Sequence, residues 1–146
     1  MAQPEEPLSV ENILNDMDKE EQAEQSEQAP LYPNVFMFVD RFIRPMYEVS
    51  VARVSQVSWS EKWWNHDSVL IRMKALWRRF EQLRLDEPDT YMETFLRVHA
   101  DYHMDRLLDN PPSVLIDSKK EDSPSVPLPS VEVPFRVVRQ MEDAEL

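Results

Sequence analysis

Apolar residues recur at helical spacing in three stretches of this chain. In the first, Phe36, Val39, Ile43 and Met46 predict a helix from about residue 35 into the 40s, with Asn34 placed to cap it. Pro45 should kink that helix or end it near Arg44. The second stretch is the clearest. Val69, Leu70, Met73, Leu76, Trp77, Phe80 and Leu83 make a continuous apolar stripe, and Arg72, Lys74, Arg78, Arg79 and Arg84 line the other faces. Asp67 or Ser68 supplies a cap and Pro88 a stop. The third helix starts at Asp89-Thr90 and runs to about Leu108, with Met92, Phe95, Leu96, His99, His103 and Leu107 on its inner face. Thr90 and Glu93 have the spacing of a capping box, and Asn110-Pro111-Pro112 ends the helix.

The stretch YEVSVARVSQVSW between the first two helices fits both periods. Val49, Val51, Val57 and Trp59 alternate as in a strand, whereas Tyr47, Val51 and Val54 continue a helix. A lone strand would lack a partner, so the pattern is read as helix as far as about residue 54. Three helices with short loops predict an all-α fold, a small antiparallel three-helix bundle.

The flanks differ in character. LSVENILNDMDK, residues 8–19, can form a short amphipathic helix capped by Ser9, too short to be stable alone in water. It reads as a solubilising arm or as a helix that folds onto a partner. Beyond residue 110 come six prolines. There, Val131, Val133, Phe135 and Val137 alternate, in a tail that is extended and disordered or adds to a partner's sheet edge.

Charge and aromatics sharpen these boundaries. The net charge of −12 lies almost wholly in the ends, with nine acidic side chains and only Lys19 basic in residues 1–30. Thirteen of the fourteen aromatic residues fall in residues 31–110. A segment without large apolar groups cannot offset the entropy of ordering. The expected organisation is a disordered acidic arm (1–30), a helical domain (31–110) and a disordered Pro-rich tail (111–146). Zero cysteines exclude disulfides and cysteinyl metal sites. Zero glycines exclude Walker and Rossmann phosphate loops. The first twenty residues have no secretory-signal pattern, and no apolar run approaches the roughly 20 residues of a membrane span. A cytoplasmic protein with no membrane contact is the expectation.

Candidate chemistry is concentrated in SWSEKWWNH, residues 58–66. Trp59, Trp63, Trp64 and His66 read as a hydrophobic lid on the bundle, with His66 and Asp67 as acceptors for indole N–H groups. Trp63 and Trp64 are adjacent and cannot share a helical face. One should pack inward while the other covers the bundle end, or stands exposed as an interaction hot spot. His99 and His103 lie on one helix face, and with His66 they suggest a zinc site with an open fourth position. Ala100 stands where the HExxH pattern needs glutamate, and the competing reading is histidines hydrogen-bonded in an aromatic core. Arg72, Lys74, Arg78 and Arg79 suggest a nucleic-acid face, against which stands an acidic chain with a near-neutral domain. No nucleophile–base set has recognisable spacing, so only the histidines keep an enzyme open.

Trp-Ser-Glu-Lys-Trp-Trp-Asn-His from Trp59, Ala-Leu-Trp-Arg-Arg-Phe-Glu at 75–81 and His-Ala-Asp-Tyr-His-Met-Asp-Arg-Leu-Leu at 99–108 together resemble an uncharacterised actinobacterial family. That domain of unknown function occurs on phages, plasmids and integrated conjugative elements. The resemblance covers about residues 32–110. The chain departs from the pattern at Ser60-Glu61 and at Asn110-Pro111-Pro112. It implies a mobile-element setting and no assigned activity. The expected function is non-enzymatic: an accessory or adaptor protein that binds an unidentified protein partner.

Overall fold

The structure is a computed structural model that describes residues 9–119 and 124–143. Residues up to Leu31 form one unit and those from Tyr32 another. The start of the expected acidic arm, residues 1–8, lies outside the described residues.

In the first unit, helix α1 spans Val10–Gln28. Ser9 caps it as expected, its hydroxyl accepting from the Asn12 N–H at 3.2 Å. The helix runs past residue 19 through a tract of Glu, Gln and Ala, all good helix formers, where a disordered arm was expected. Val10, Ile13, Leu14 and Met17 are exposed on it.

The second unit is mostly helical. Helix α2 covers residues 35–46 as three consecutive pieces, Val35–Phe38, a π-helical turn Val39–Ile43, and Arg44–Met46. Asn34 Oδ1 accepts the Met37 N–H at 2.9 Å. The Arg44 N–H reaches back five residues to the Val39 carbonyl. This wide turn lets Pro45, which has no amide hydrogen, sit inside the last turn, and the helix ends at Met46. Helix α3 is Asp67–Asp86. Helix α4 covers residues 91–107 as Tyr91–Thr94, a π-helical Phe95–Ala100 and Asp101–Leu107. The pairs Arg72–His103 and Arg79–His99 run in opposite order along α3 and α4, so these helices are antiparallel.

Two expected caps do not form. Thr90 makes no cap bond. Its hydroxyl donates to Glu87, and Glu93 instead pairs with Arg97 one turn on. The residue before α3 is His66, whose side chain also makes no cap bond.

The core is aromatic. Phe38 stacks on Phe42 at 5.4 Å, and Phe80 meets Phe42 at 5.0 Å and Phe95 at 5.2 Å. These four rings come from α2, α3 and α4, one stripe from each, and all are buried. Tyr47 ties α2 to α4 by donating its hydroxyl to Asp101 at 2.7 Å. Desolvation first, then that carboxylate, hold the phenol's pKa well above its ordinary value.

Residues 47–54 differ from the helical expectation. Val49–Ser50 form strand β1, followed by a 3₁₀ helix, Val51–Gln56. The partner that the local pattern lacked comes from the tail. Ser125–Val126 form β2, antiparallel to β1, with Val49 opposite Val126 and Ser50 opposite Ser125.

The tail is thus structural over much of its length, contrary to the expectation of disorder from residue 111. Leu128 is fully buried and Met141 is buried. Residues 127–134 run on without regular structure, and Phe135–Asp143 form helix α5 where alternation suggested a strand. Six prolines bar helix and ladder along most of this stretch, but they do not bar an extended chain from packing.

Candidate functional site

The Trp59–His66 segment leaves the 3₁₀ helix, passes through Ser58-Trp59-Ser60, and turns into a short 3₁₀ helix at Trp63–Asn65. Both Trp63 and Trp64 are buried, at 2% and 8% exposure. Neither stands exposed as an interaction hot spot. Three residues per turn splay adjacent side chains widely, but here protein lies on both sides. Behind Trp63 sits Phe36 of α2, ring centroids 6.1 Å apart. In front of it lies the tail. Trp59 stacks against Trp63 at 6.4 Å and stays half-buried.

The indole N–H groups do not use His66 or Asp67. Trp59 Nε1 donates to the Pro129 carbonyl at 2.9 Å, and Trp63 Nε1 donates to Ser130 Oγ at 3.0 Å. Trp77, half-buried on α3, donates to the Tyr32 carbonyl at 2.9 Å. Trp64 Nε1 is buried and meets no acceptor among the described residues.

Beside this segment opens a cleft of about 420 Å³. Val57, Trp59, Trp63, Val69 and Leu107 form its apolar walls, and Ser58, Ser60 and His66 are its polar groups. His66, exposed at the start of α3, and Leu107, at the end of α4, meet here because the helices are antiparallel. A second cavity of about 430 Å³ lies between α2 and residues 130–133, with Trp63 again in its wall.

The three histidines do not converge. His99 Nε2 accepts from Arg79 Nε at 3.1 Å, and His103 Nδ1 accepts from Arg72 Nη1 at 2.8 Å. Burial first, then the neighbouring guanidinium, lowers the pKa of each imidazole; His99 adds to the effect at His103. Each of these nitrogens spends its lone pair on a guanidinium and is not free to ligate a metal in this arrangement. Among the described residues, no group of three or more His, Cys, Asp or Glu side chains is placed to hold a metal.

The four basic residues divide between two faces. Arg72 and Arg79 turn to the histidines of α4. Lys74 and Arg78 border a hollow shared with Trp77, Phe36 and Met141. A single phosphate-tracking stripe is therefore not assembled. Burial, then Arg78, lowers the Lys74 pKa. None of the described helices is long and apolar enough to cross a membrane.

Neither the Arg–His pairs nor the tail acceptors were evident from the pattern. Arg72 and Arg79 lie seven residues, two turns, apart on α3, and His99 and His103 four residues, one turn, apart on α4, so spacing alone did not pair them.

Residues 32–134 match the family model described as Domain of unknown function (DUF4913). The match continues past Asn110 and takes in β2 and Leu128, in keeping with a domain that includes the first part of the tail. No curated protein matches, and no solved structure matches.

Proposed function

This chain belongs to the DUF4913 family, whose description assigns no activity, and from its geometry we propose that it is a non-enzymatic protein–protein interaction protein. The observation that carries this reading is the apolar cleft of Val57, Trp59, Trp63, Val69 and Leu107, about 420 Å³ in volume, open beside the exposed His66. A cavity of that size takes one large apolar side chain of a partner. Aromatic walls with a few polar groups at the rim are the composition of an interaction hot spot. Ser58, Ser60 and His66 offer hydroxyl and imidazole hydrogen bonds to the backbone around such a side chain. With the sequence resemblance to actinobacterial phage, plasmid and conjugative-element proteins, the reading becomes an accessory or adaptor protein of a mobile element, acting in the cytoplasm.

The test fills the cleft from its exposed rim. Full-length Ser60→Trp, a Ser55→Trp control on the exposed face of the 3₁₀ helix and the natural chain are used as baits in host lysate. A protein retained by the natural chain and the control, and lost with Ser60→Trp, supports the reading. Equal recovery with all three baits, or recovery with none, rejects it.

A further inference from the structure

The tail crosses the domain in the manner of a bound peptide. From β2 at Ser125–Val126 it runs on without regular structure past Val131, and Pro127 and Pro129 bracket the fully buried Leu128. The domain grips it mainly through its backbone. Arg44 Nε donates to the Leu128 carbonyl at 2.6 Å, and the Leu128 N–H donates to the Arg44 carbonyl at 3.1 Å. Trp59 Nε1 takes the Pro129 carbonyl, and Trp63 Nε1 takes the Ser130 hydroxyl. At either end the Val131 N–H bonds the Glu61 carbonyl at 2.8 Å, and the Pro124 carbonyl accepts the Val51 N–H at 3.0 Å.

This is the physics of proline-rich peptide recognition. Flanking prolines hold the peptide near its bound shape, so little entropy is lost on docking. Indole and guanidinium donors read carbonyls, which any extended sequence offers, and one apolar socket reads one side chain. The acceptors of these side-chain donors lie 67 to 84 residues along the chain from them. Of the connection that leads to the tail, residues 109–119 are turns and irregular chain and carry exposed Leu115 and Ile116.

We propose that Arg44, Trp59 and Trp63, with the Leu128 socket and the β1 edge, form a site for extended Pro-Leu-Pro-Ser segments of a partner protein, now filled by the chain's own tail. The occupant's chemistry is set by what the site holds: a leucine between two prolines, followed by a small hydroxyl residue. The roughly 430 Å³ cavity flanking Ser130–Val133 leaves room for bulkier residues after that hydroxyl than the chain itself supplies. The site uses the Nε1 edges of the two indoles and stands whatever the neighbouring cleft binds.

The resident tail competes from a tethered position, at an effective concentration in the millimolar range. The experiment therefore uses the full-length chain with a specific protease site in place of residues 119–123, before and after cleavage. A fluorescein-labelled peptide of residues 124–134 is titrated in, with anisotropy as the readout and circular dichroism on the same samples. The site predicts saturable binding that tightens by roughly 100-fold or more on cleavage. Leu128→Glu in the peptide should weaken it by roughly 30-fold or more. Trp59→Phe in the protein should weaken it about fivefold, the loss of one hydrogen bond. The proposal is overturned by absence of exchange after cleavage, by equal binding of the Leu128→Glu peptide, or by loss of helical signal when the tail leaves. A concentration-dependent dimer that exchanges tails would overturn it too, by making a second copy the occupant.

Discussion

Arg44 and Leu128 bind each other twice, guanidinium Nε to carbonyl and amide to carbonyl, across 84 residues of chain. Arg44 is also paired with Asp40 one turn earlier, a contact that orients its side chain from within α2. The Leu128 side chain is then fully buried. Leu128→Ala should cost about 2–5 kcal/mol, the range for truncating a buried leucine. Thermal unfolding of the full chain checks this, with a midpoint lowered by roughly 10 °C or more. An unchanged midpoint would mean that the tail does not sit in the domain.

Trp63 and Trp64 allow a matched comparison. Replacing either with Phe removes the same atoms from a buried site, but only Trp63 loses a hydrogen bond, the one to Ser130. At Trp64 the change also removes a buried donor that has no acceptor among the described residues. Trp63→Phe should therefore be the more destabilising by about 1–3 kcal/mol in denaturant unfolding. The reverse order would place an acceptor on Trp64.

The Arg–His pairs predict a pH dependence. His99 and His103 have folded-state pKa values lowered from 6.5. Stability from such groups is full above the unfolded pKa and falls as pH drops through the lowered folded values. Protonation also sets each imidazole against its own arginine, Arg79 or Arg72, and against the other histidine. The double change His99→Gln/His103→Gln keeps an acceptor for each arginine and removes the titration. Between pH 7 and pH 5 it should lose less stability than the natural chain, measured as the difference in urea midpoints. Parallel curves for the two proteins would contradict this.

The end of α4 offers a stabilising change. Asp109 and Asn110 both adopt left-handed backbone, with φ of 59° and 54°. The Asp109 N–H bonds the Arg106 carbonyl and the Asn110 N–H bonds the Asp105 carbonyl, which closes the helix in a Schellman pattern. Glycine is the usual residue at the first of these positions, and this chain has none. Asp109→Gly should raise stability by about 1 kcal/mol, seen as a midpoint a few degrees higher.

The sequence by itself determined the helices and their buried stripes. Periodicity of 3.6 residues is a local property, so Val39, Ile43, Phe80 and Phe95 and the caps at Ser9 and Asn34 were set by near neighbours, whereas buried Phe38 and Phe42 lie off the expected stripe and Met46, on it, is exposed. The absence of glycine and cysteine likewise bounded the chemistry before any fold was known. Only tertiary structure decided what the indoles and imidazoles do. A hydrogen bond from Trp59 to Pro129, or from Arg72 to His103, joins residues whose separation carries no period. The tail illustrates the same limit. Its prolines interrupt regular structure, and composition alone therefore reads it as disordered, although β2 and α5 both form within it. Its order comes instead from one leucine socket and from donors on α2 and the Trp59–Trp63 segment, which exist as a surface only after the helices have packed.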